Sequence, residues 1–316
     1  MISQADTHPE PPVAPRISAT GRTAVAFIAH RFDEEVVARF DSLRRACLAG
    51  GRDVFIVTEP DAVVPEHLLP FASRFDFAEL RQMAAKVIAD EIVPGSGHLR
   101  FIAFSHRFPG YRHYWFIEYD VVYRGDWTRF FDAMDEDDSD LLACSVRRRR
   151  DVHRWYWRRT LETPGEEIAA AAQVVAHFWL ARFSPGALNA VADAVARGWS
   201  GHYEIVVPTA VVRAGFSLAD IGGSGEWAPA GRRNRHYLDC NLPRGQEPFG
   251  TMRYRPEIGS FPIEGMLYHP VKTSQTPAGP GWPISYARVI RNRPLPCLRY
   301  FASFAFAFVR SRIFNR

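Results

Sequence analysis

The sequence predicts an α/β fold with a mostly parallel central sheet between two layers of helices. Three observations lead there. The runs TAVAFIAH (23–30), DVFIVT (53–58) and HYWFI (113–117) are short and continuously apolar, the pattern of strands buried on both faces. An amphipathic segment separates the first two, giving a strand–helix–strand unit whose natural pairing is parallel. A chain of 316 residues with 47% hydrophobic and 13% aromatic content is large enough to bury such a core.

The elements follow in order. Residues 1–22 carry four prolines among small and polar residues and read as a disordered leader. After the first strand, a helix spans about Glu34 to Ala49, with Val36, Phe40, Leu43 and Cys47 on one face. Acids occupy its first turn and Gly50-Gly51 ends it. The second strand, Asp53–Thr58, delivers Glu59 at its carboxyl end. No GxGxxG follows the first strand, which speaks against a dinucleotide-binding Rossmann domain. Residues 60–110 are less regular; Leu80, Met83, Ala84 and Val87 give Phe77–Asp90 helical spacing, and Pro94–Gly97 is a loop. Beyond the central strand, Asp126–Phe131 opens a short helix and Asp140–Cys144 returns as a strand. Ala176–Phe183 is a further strand. Ser184-Pro185 then starts a helix with an N-cap hydroxyl and a proline at the first helical position. Ile205–Val212 fits strand or helix, being β-branched and interrupted by Pro208. Phe216–Ile221 reads as a strand, residues 222–263 as an irregular binding region, and Met266–Thr273 as the close of the ordered part.

Chemistry concentrates at Glu118-Tyr119-Asp120, where the central strand ends. Side chains two residues apart on an extended chain project to the same side, and the carboxyl ends of parallel strands border the ligand crevice of open α/β sheets. Two convergent carboxylates make a hard oxygen site suited to Mg²⁺ or Mn²⁺ carrying a diphosphate. Acidic pairs at strand ends also serve as helix caps or solvated loop entrances, and the residues alone leave both readings open.

The formal charge of +4 is unevenly spread: Arg147–Arg159 holds seven arginines against Asp151, and Asp132–Asp140 six acids. Local blocks of this kind suit an anionic partner at one place and disfavour a nucleic-acid-binding protein. Arginines interleaved with Trp155, Tyr156 and Trp157 could hold an acidic acceptor, or form a solvated basic face. The four cysteines (47, 144, 240, 297) show no metal spacing, as free thiols in a reducing compartment would. The first 20 residues lack the apolar core of a secretory signal, and no apolar run reaches the about 20 residues that span a bilayer. A cytoplasmic protein is expected. The tail at 295–316 combines five phenylalanines and arginines with no acids. It suits a helix on an anionic membrane surface, or one packed on the domain.

Taken together, EYDV with GDW, then GHYE, then LYHPVK resemble a nucleotide-sugar glycosyltransferase of GT-A fold, similar to bacterial polysaccharide and lipopolysaccharide glycosyltransferases. The resemblance runs from about Thr23 to Thr273. It implies a GT-A-like three-layer α/β/α domain over 23–290 followed by a basic aromatic amphipathic tail over 291–316. It implies a Mn²⁺ or Mg²⁺ ion held by Asp120 and His269, with Glu118 at the metal or the nucleotide ribose. Here glutamate stands where the family has its first aspartate. A UDP-sugar is the expected donor, with Glu59 and His30 near the nucleotide and Lys272 near its phosphates. Glu204 would be the general base of an inverting transfer to a glycan or lipid-linked acceptor. The same residues admit simpler roles: Glu204 as a helix cap or an arginine's partner, His202 as structural, His269 as a turn residue.

Overall fold

The computed structural model describes residues 21–92, 95–152, 156–238, 251–252, 263–273 and 302, without the Tyr156 side chain. The expected leader, apart from residues 21–22, lies outside the described residues. So do the expected tail, apart from residue 302, and most of the irregular region after residue 238.

Alternation along two central strands, β1 (Thr23–Ile28) and β4 (His113–Glu118), divides the core into two layers. Ala24, Ala26, Tyr114 and Phe116 enter one apolar cluster, while Val25, Phe27, Trp115 and Ile117 enter the other. This is the two-residue period of a strand covered on both faces. The second cluster is closed by α1 (Glu34–Ala49) and α4 (Trp127–Asp135). The first is closed by α2 (Phe77–Arg81), α3 (His98–Arg107), α5 (Pro185–Ala196) and α6 (Tyr203–Arg213). Side-chain caps start most of these helices: Asp33, Asp126 and Ser184 each accept a backbone N–H of the first turn.

The expected three-layer α/β/α arrangement is present. Seven strands form the main sheet in the order β3-β2-β1-β4-β7-β6-β8, adding β2 (Asp53–Thr58), β3 (Ala72–Arg74), β6 (Leu141–Arg148), β7 (Val174–Phe183) and β8 (Leu218–Asp220). Every pairing is parallel except those of β7, which runs against both β4 and β6. That reversal places the site. Ile117 pairs with Leu180, so the earlier residues of β7 continue past the carboxyl end of β4 and border the crevice.

A second sheet of two short strands pairs β5 (Val122–Tyr123) with β9 (Leu267–Tyr268). It returns a distant part of the chain to the end of β4. The Val271 N–H donates to the Asp120 carbonyl (2.8 Å), and Arg39 of α1 donates to the carbonyls of Val271 (2.8 Å) and Tyr119 (3.2 Å).

Several expectations are corrected. The helix expected over 77–90 stops at Arg81; Met83, Ala84 and Val87 still pack on the core but from successive turns, since apolar spacing reports burial rather than backbone conformation. The helix α3 was hidden within the unassigned 60–110 stretch. The ambiguous 205–212 segment is helix α6, covered by core on most sides, which explains its lack of a polar face. Arg147 and Arg148 belong to strand β6 rather than to a loop or surface helix, and Arg149–Asp151 and Tyr156–Arg159 are single turns.

Strand β6 is irregular beside Asp220 and Tyr237. Ser145 has φ of +53°, and the pairing with β7 shifts on either side of Cys144, a β-bulge. The fully buried Asp220 holds it, accepting the N–H groups of Val146 (3.0 Å), Gly222 (2.9 Å) and Gly223 (2.7 Å) and the Tyr237 hydroxyl (2.7 Å). Of the cysteines, Cys47 and Cys144 are buried free thiols, and burial pushes Cys47 up to about 12. Among the described residues no helix is long and apolar enough to cross a membrane.

Candidate functional site

Strand β4 ends in Glu118, and the turn after it carries Asp120 toward the same side. The β5–β9 pairing brings His269 over them. One ligand atom from each of Glu118, Asp120 and His269 lies within 4.8 Å of the others. His269 Nε2 is 3.2 Å from Glu118 Oε2 and 3.3 Å from Asp120 Oδ1. Burial opposes charge on His269, but the neighbouring Asp120 and Glu118 carboxylates outweigh it and raise its pKa. Asp120 resists protonation in turn: burial would raise its pKa, yet His269 and Lys272 hold it well below the usual carboxylate range.

The donor set fits a divalent cation. Asp120 Oδ1 is buried and faces the His269 imidazole at 3.3 Å without a well-aligned hydrogen bond, a cost that a cation between them would relieve. Two carboxylate oxygens and an imidazole nitrogen suit Mn²⁺ or Mg²⁺. The Lys272 ammonium stands on the other oxygen, Asp120 Oδ2, and 3.5 Å from the Tyr119 hydroxyl. It supplies one positive charge beside the cluster and can turn toward an anionic ligand. His30 packs edge-on against the Tyr119 ring at 4.9 Å, and burial lowers its pKa.

Glu118 also lines a cavity of about 300 Å³, and Glu204 lines it too. Glu204 is the second residue of α6, where the helix N-terminus favours an anion. The Gly201 turn that delivers it requires glycine: φ is +133°, and a Cβ would come within 2.6 Å of the Thr160 carbonyl oxygen. His202 caps the helix, its Nδ1 accepting the Glu204 N–H at 3.3 Å. A nitrogen that accepts carries no proton, so the ring hydrogen of neutral His202 sits on Nε2. Burial keeps His202 neutral, with its pKa lowered to about 4, and holds neighbouring His98 at about 3.

The Glu204 carboxylate itself meets His177. Oε1 and His177 Nδ1 are 2.7 Å apart, and because an ionised carboxylate only accepts, the imidazole donates. His177 lies on β7 two residues before Trp179. Their rings stack at 4.4 Å and 5°, and Trp179 stacks on His269 at 4.3 Å and 22°. A row of three rings therefore links the carboxylate at α6 to the acidic cluster at β4.

The sequence-derived residues Glu118, Asp120, His269 and Lys272 thus meet, and Glu204 shares a cavity with Glu118. Glu59 stands apart from the cluster in an ion pair with Arg100 of α3, which lines the same cavity. Glu204 pairs with the His177 imidazole, and His202 caps α6 while also lining the cavity. His177, Trp179 and Arg100 escaped the sequence reading, whereas Trp157 belongs to the arginine-rich aromatic segment singled out there. For His177 a signal was there: a histidine at two-residue spacing from a tryptophan, inside an otherwise apolar strand.

No family model matches the chain, and no curated protein matches it. Among solved structures it is similar to mouse xyloside xylosyltransferase 1, at 13% identity over 64% of this chain and 85% of that one, with a TM-score of 0.34. A glycosyltransferase involved in glycosylation of the major capsid of PBCV-1 is similar at 9% identity over 54% of this chain, with a TM-score of 0.28; the match spans 66% of that enzyme's length. A Bacillus anthracis protein assigned as a glucose-1-phosphate thymidylyltransferase is similar at 11% identity over 67% of this chain and 90% of that one, with a TM-score of 0.33. None of these likenesses assigns a reaction, and the functional conclusion rests on the side chains.

Proposed function

We propose that this chain is a divalent-metal-dependent glycosyltransferase of the GT-A type. It would move a sugar from a nucleotide-sugar, a UDP-sugar first, to a glycan or lipid-linked acceptor with inversion. The observation that carries this reading is that Glu118 belongs at once to the Glu118–Asp120–His269 cluster and to the cavity lined by Glu204.

Glu118, Asp120 and His269 would hold Mn²⁺ or Mg²⁺, whose charge stabilises a departing nucleoside diphosphate. Lys272 would add its own charge to the same phosphates. Glu204 would accept the proton of the acceptor hydroxyl through a carboxylate oxygen, a contribution typically of about 10²–10⁴ in rate. His177 would keep that carboxylate oriented. Location in the cytoplasm or at the inner face of a membrane belongs to the same reading.

The position of Lys272 on Asp120 favours a second reading: a nucleotide- or sugar-binding protein without turnover, in which lysine serves as the cation. Mn²⁺-stimulated hydrolysis of UDP-sugars separates the two. Turnover lost in Asp120→Ala and Glu204→Gln supports the enzyme; tight UDP binding without turnover on any sugar in a donor panel supports the binder.

A further inference from the structure

We propose that Trp179 is a positioning residue for the metal site: its indole face sets the plane of the His269 imidazole that joins Glu118 and Asp120. The inference rests on the metal-dependent reading, because it needs a cation at that cluster.

Both faces of the indole are taken. His177 stacks on it at 4.4 Å and 5°, and His269 stacks on it at 4.3 Å and 22°. Trp179 lines the cavity, yet with an imidazole on each side it has no face left for a sugar or a base. Its ring contacts are with the side chains beside the carboxylates, so its effect on the site is exerted through them.

The His269 ring needs such a wall. Its backbone is fixed: the His269 N–H donates to the Thr251 carbonyl at 2.8 Å, and the Val271 N–H donates to the Asp120 carbonyl at 2.8 Å. The torsion that turns an imidazole about its bond to Cβ is soft and broad, so a fixed backbone leaves the ring plane open. Metal-bound histidines usually settle that plane by donating their second ring N–H to a carboxylate or carbonyl. Here Nε2 faces the two carboxylates, 3.2 Å from Glu118 and 3.3 Å from Asp120. Among the described residues Nδ1 is buried without a hydrogen-bond partner. The flat contact with Trp179 stands in for that outer hydrogen bond. Nε2 lies off the torsion axis, so a ring turned out of the stack would carry it away from both oxygens.

The Mn²⁺ affinity of the full chain with saturating UDP, measured by calorimetry with Tm alongside, tests this without turnover. Trp179→Leu removes the flat wall and is expected to weaken Mn²⁺ binding by about 10- to 100-fold, the range for outer partners of a metal ligand. Trp179→Phe keeps a flat wall and should stay within about threefold of the parent. Should leucine unfold the chain, Trp179→Met fills more of the space without a flat face and carries the same expectation. Because Trp179 acts through His269, adding Trp179→Leu to His269→Ala should cost less than about threefold more. A leucine variant within about threefold of the parent, a phenylalanine variant as weak as leucine at equal Tm, or an additive loss in the double variant overturns the proposal. A parent chain that binds no Mn²⁺ removes the metal site and this role together, whereas a parent and a leucine variant that bind it equally well remove only the role of Trp179.

Discussion

Replacing His177 with leucine removes a donor from a carboxylate that has little access to water. Glu204 and His177 have side chains 9% and 6% exposed, and their contact is 2.7 Å. Hydrogen bonds to charged groups contribute about 1.5–3 kcal/mol, and each 1.4 kcal/mol in a barrier is about tenfold in rate. If Glu204 is the base, kcat should fall about 10- to 100-fold in His177→Leu. KM for the donor should change little, because the contact is to the carboxylate and not to the nucleotide. His177→Asn is the decisive companion. Its amide nitrogen stands near the position of Nδ1, so it restores the donor while leaving the stack on Trp179 as broken as leucine does. Initial rates of Mn²⁺-supported sugar transfer or donor hydrolysis, with Tm measured alongside, check the pair. A leucine variant within about threefold of the parent kcat would refute the reasoning. So would an asparagine variant as slow as leucine at equal Tm, since the loss would then come from the stack.

Three more outcomes are expected. Asp120→Asn should weaken Mn²⁺ binding in the presence of UDP by more than about 100-fold, beyond the range set by supporting residues, with Tm little changed; calorimetry showing unaltered affinity would remove Asp120 from the metal site. Asp220→Ala strands three backbone donors and the Tyr237 hydroxyl and should cost at least about 4 kcal/mol in urea unfolding, given about 1–3 kcal/mol for each unmet buried group; a loss below about 1 kcal/mol contradicts it. Stability should also fall as pH drops below about 6.5. His98 at about 3 and His113 and His202 at about 4 refuse protons that the unfolded chain accepts at ordinary histidine values, so the unfolded state binds more protons and each contributes a loss of up to about 1.4 kcal/mol per pH unit. His269 has the opposite sign, its raised pKa giving stability that is full below about 6.5 and fades as pH rises, but with His30 also lowered by burial it is one against four. A Tm constant from pH 7 to pH 5, or no flattening in His98→Gln, would count against this account.

The strands and first helix were legible because their signals are local. Continuous apolar runs, acids in a first turn and a closing glycine pair name β1, α1, β2 and β4 to within a residue or two. The Glu118/Asp120 pair was legible for the same reason, since a two-residue spacing on an extended chain needs no knowledge of the fold. Elements buried on nearly every side were not. Helix α6 carries no polar stripe to give it a period, and the 83–90 segment has helical spacing without the helix.

By itself the sequence determined which residues carry charge and chemistry, and which short runs must be buried. Tertiary structure alone decided which of them meet. His269 reaches Glu118 across 151 residues through two-residue strands. His177 reaches Glu204 because β7 runs against its neighbours and extends past the end of β4. A strand's direction is set by the connections and partners available to it, and those are properties of the assembled sheet that no window of the chain contains.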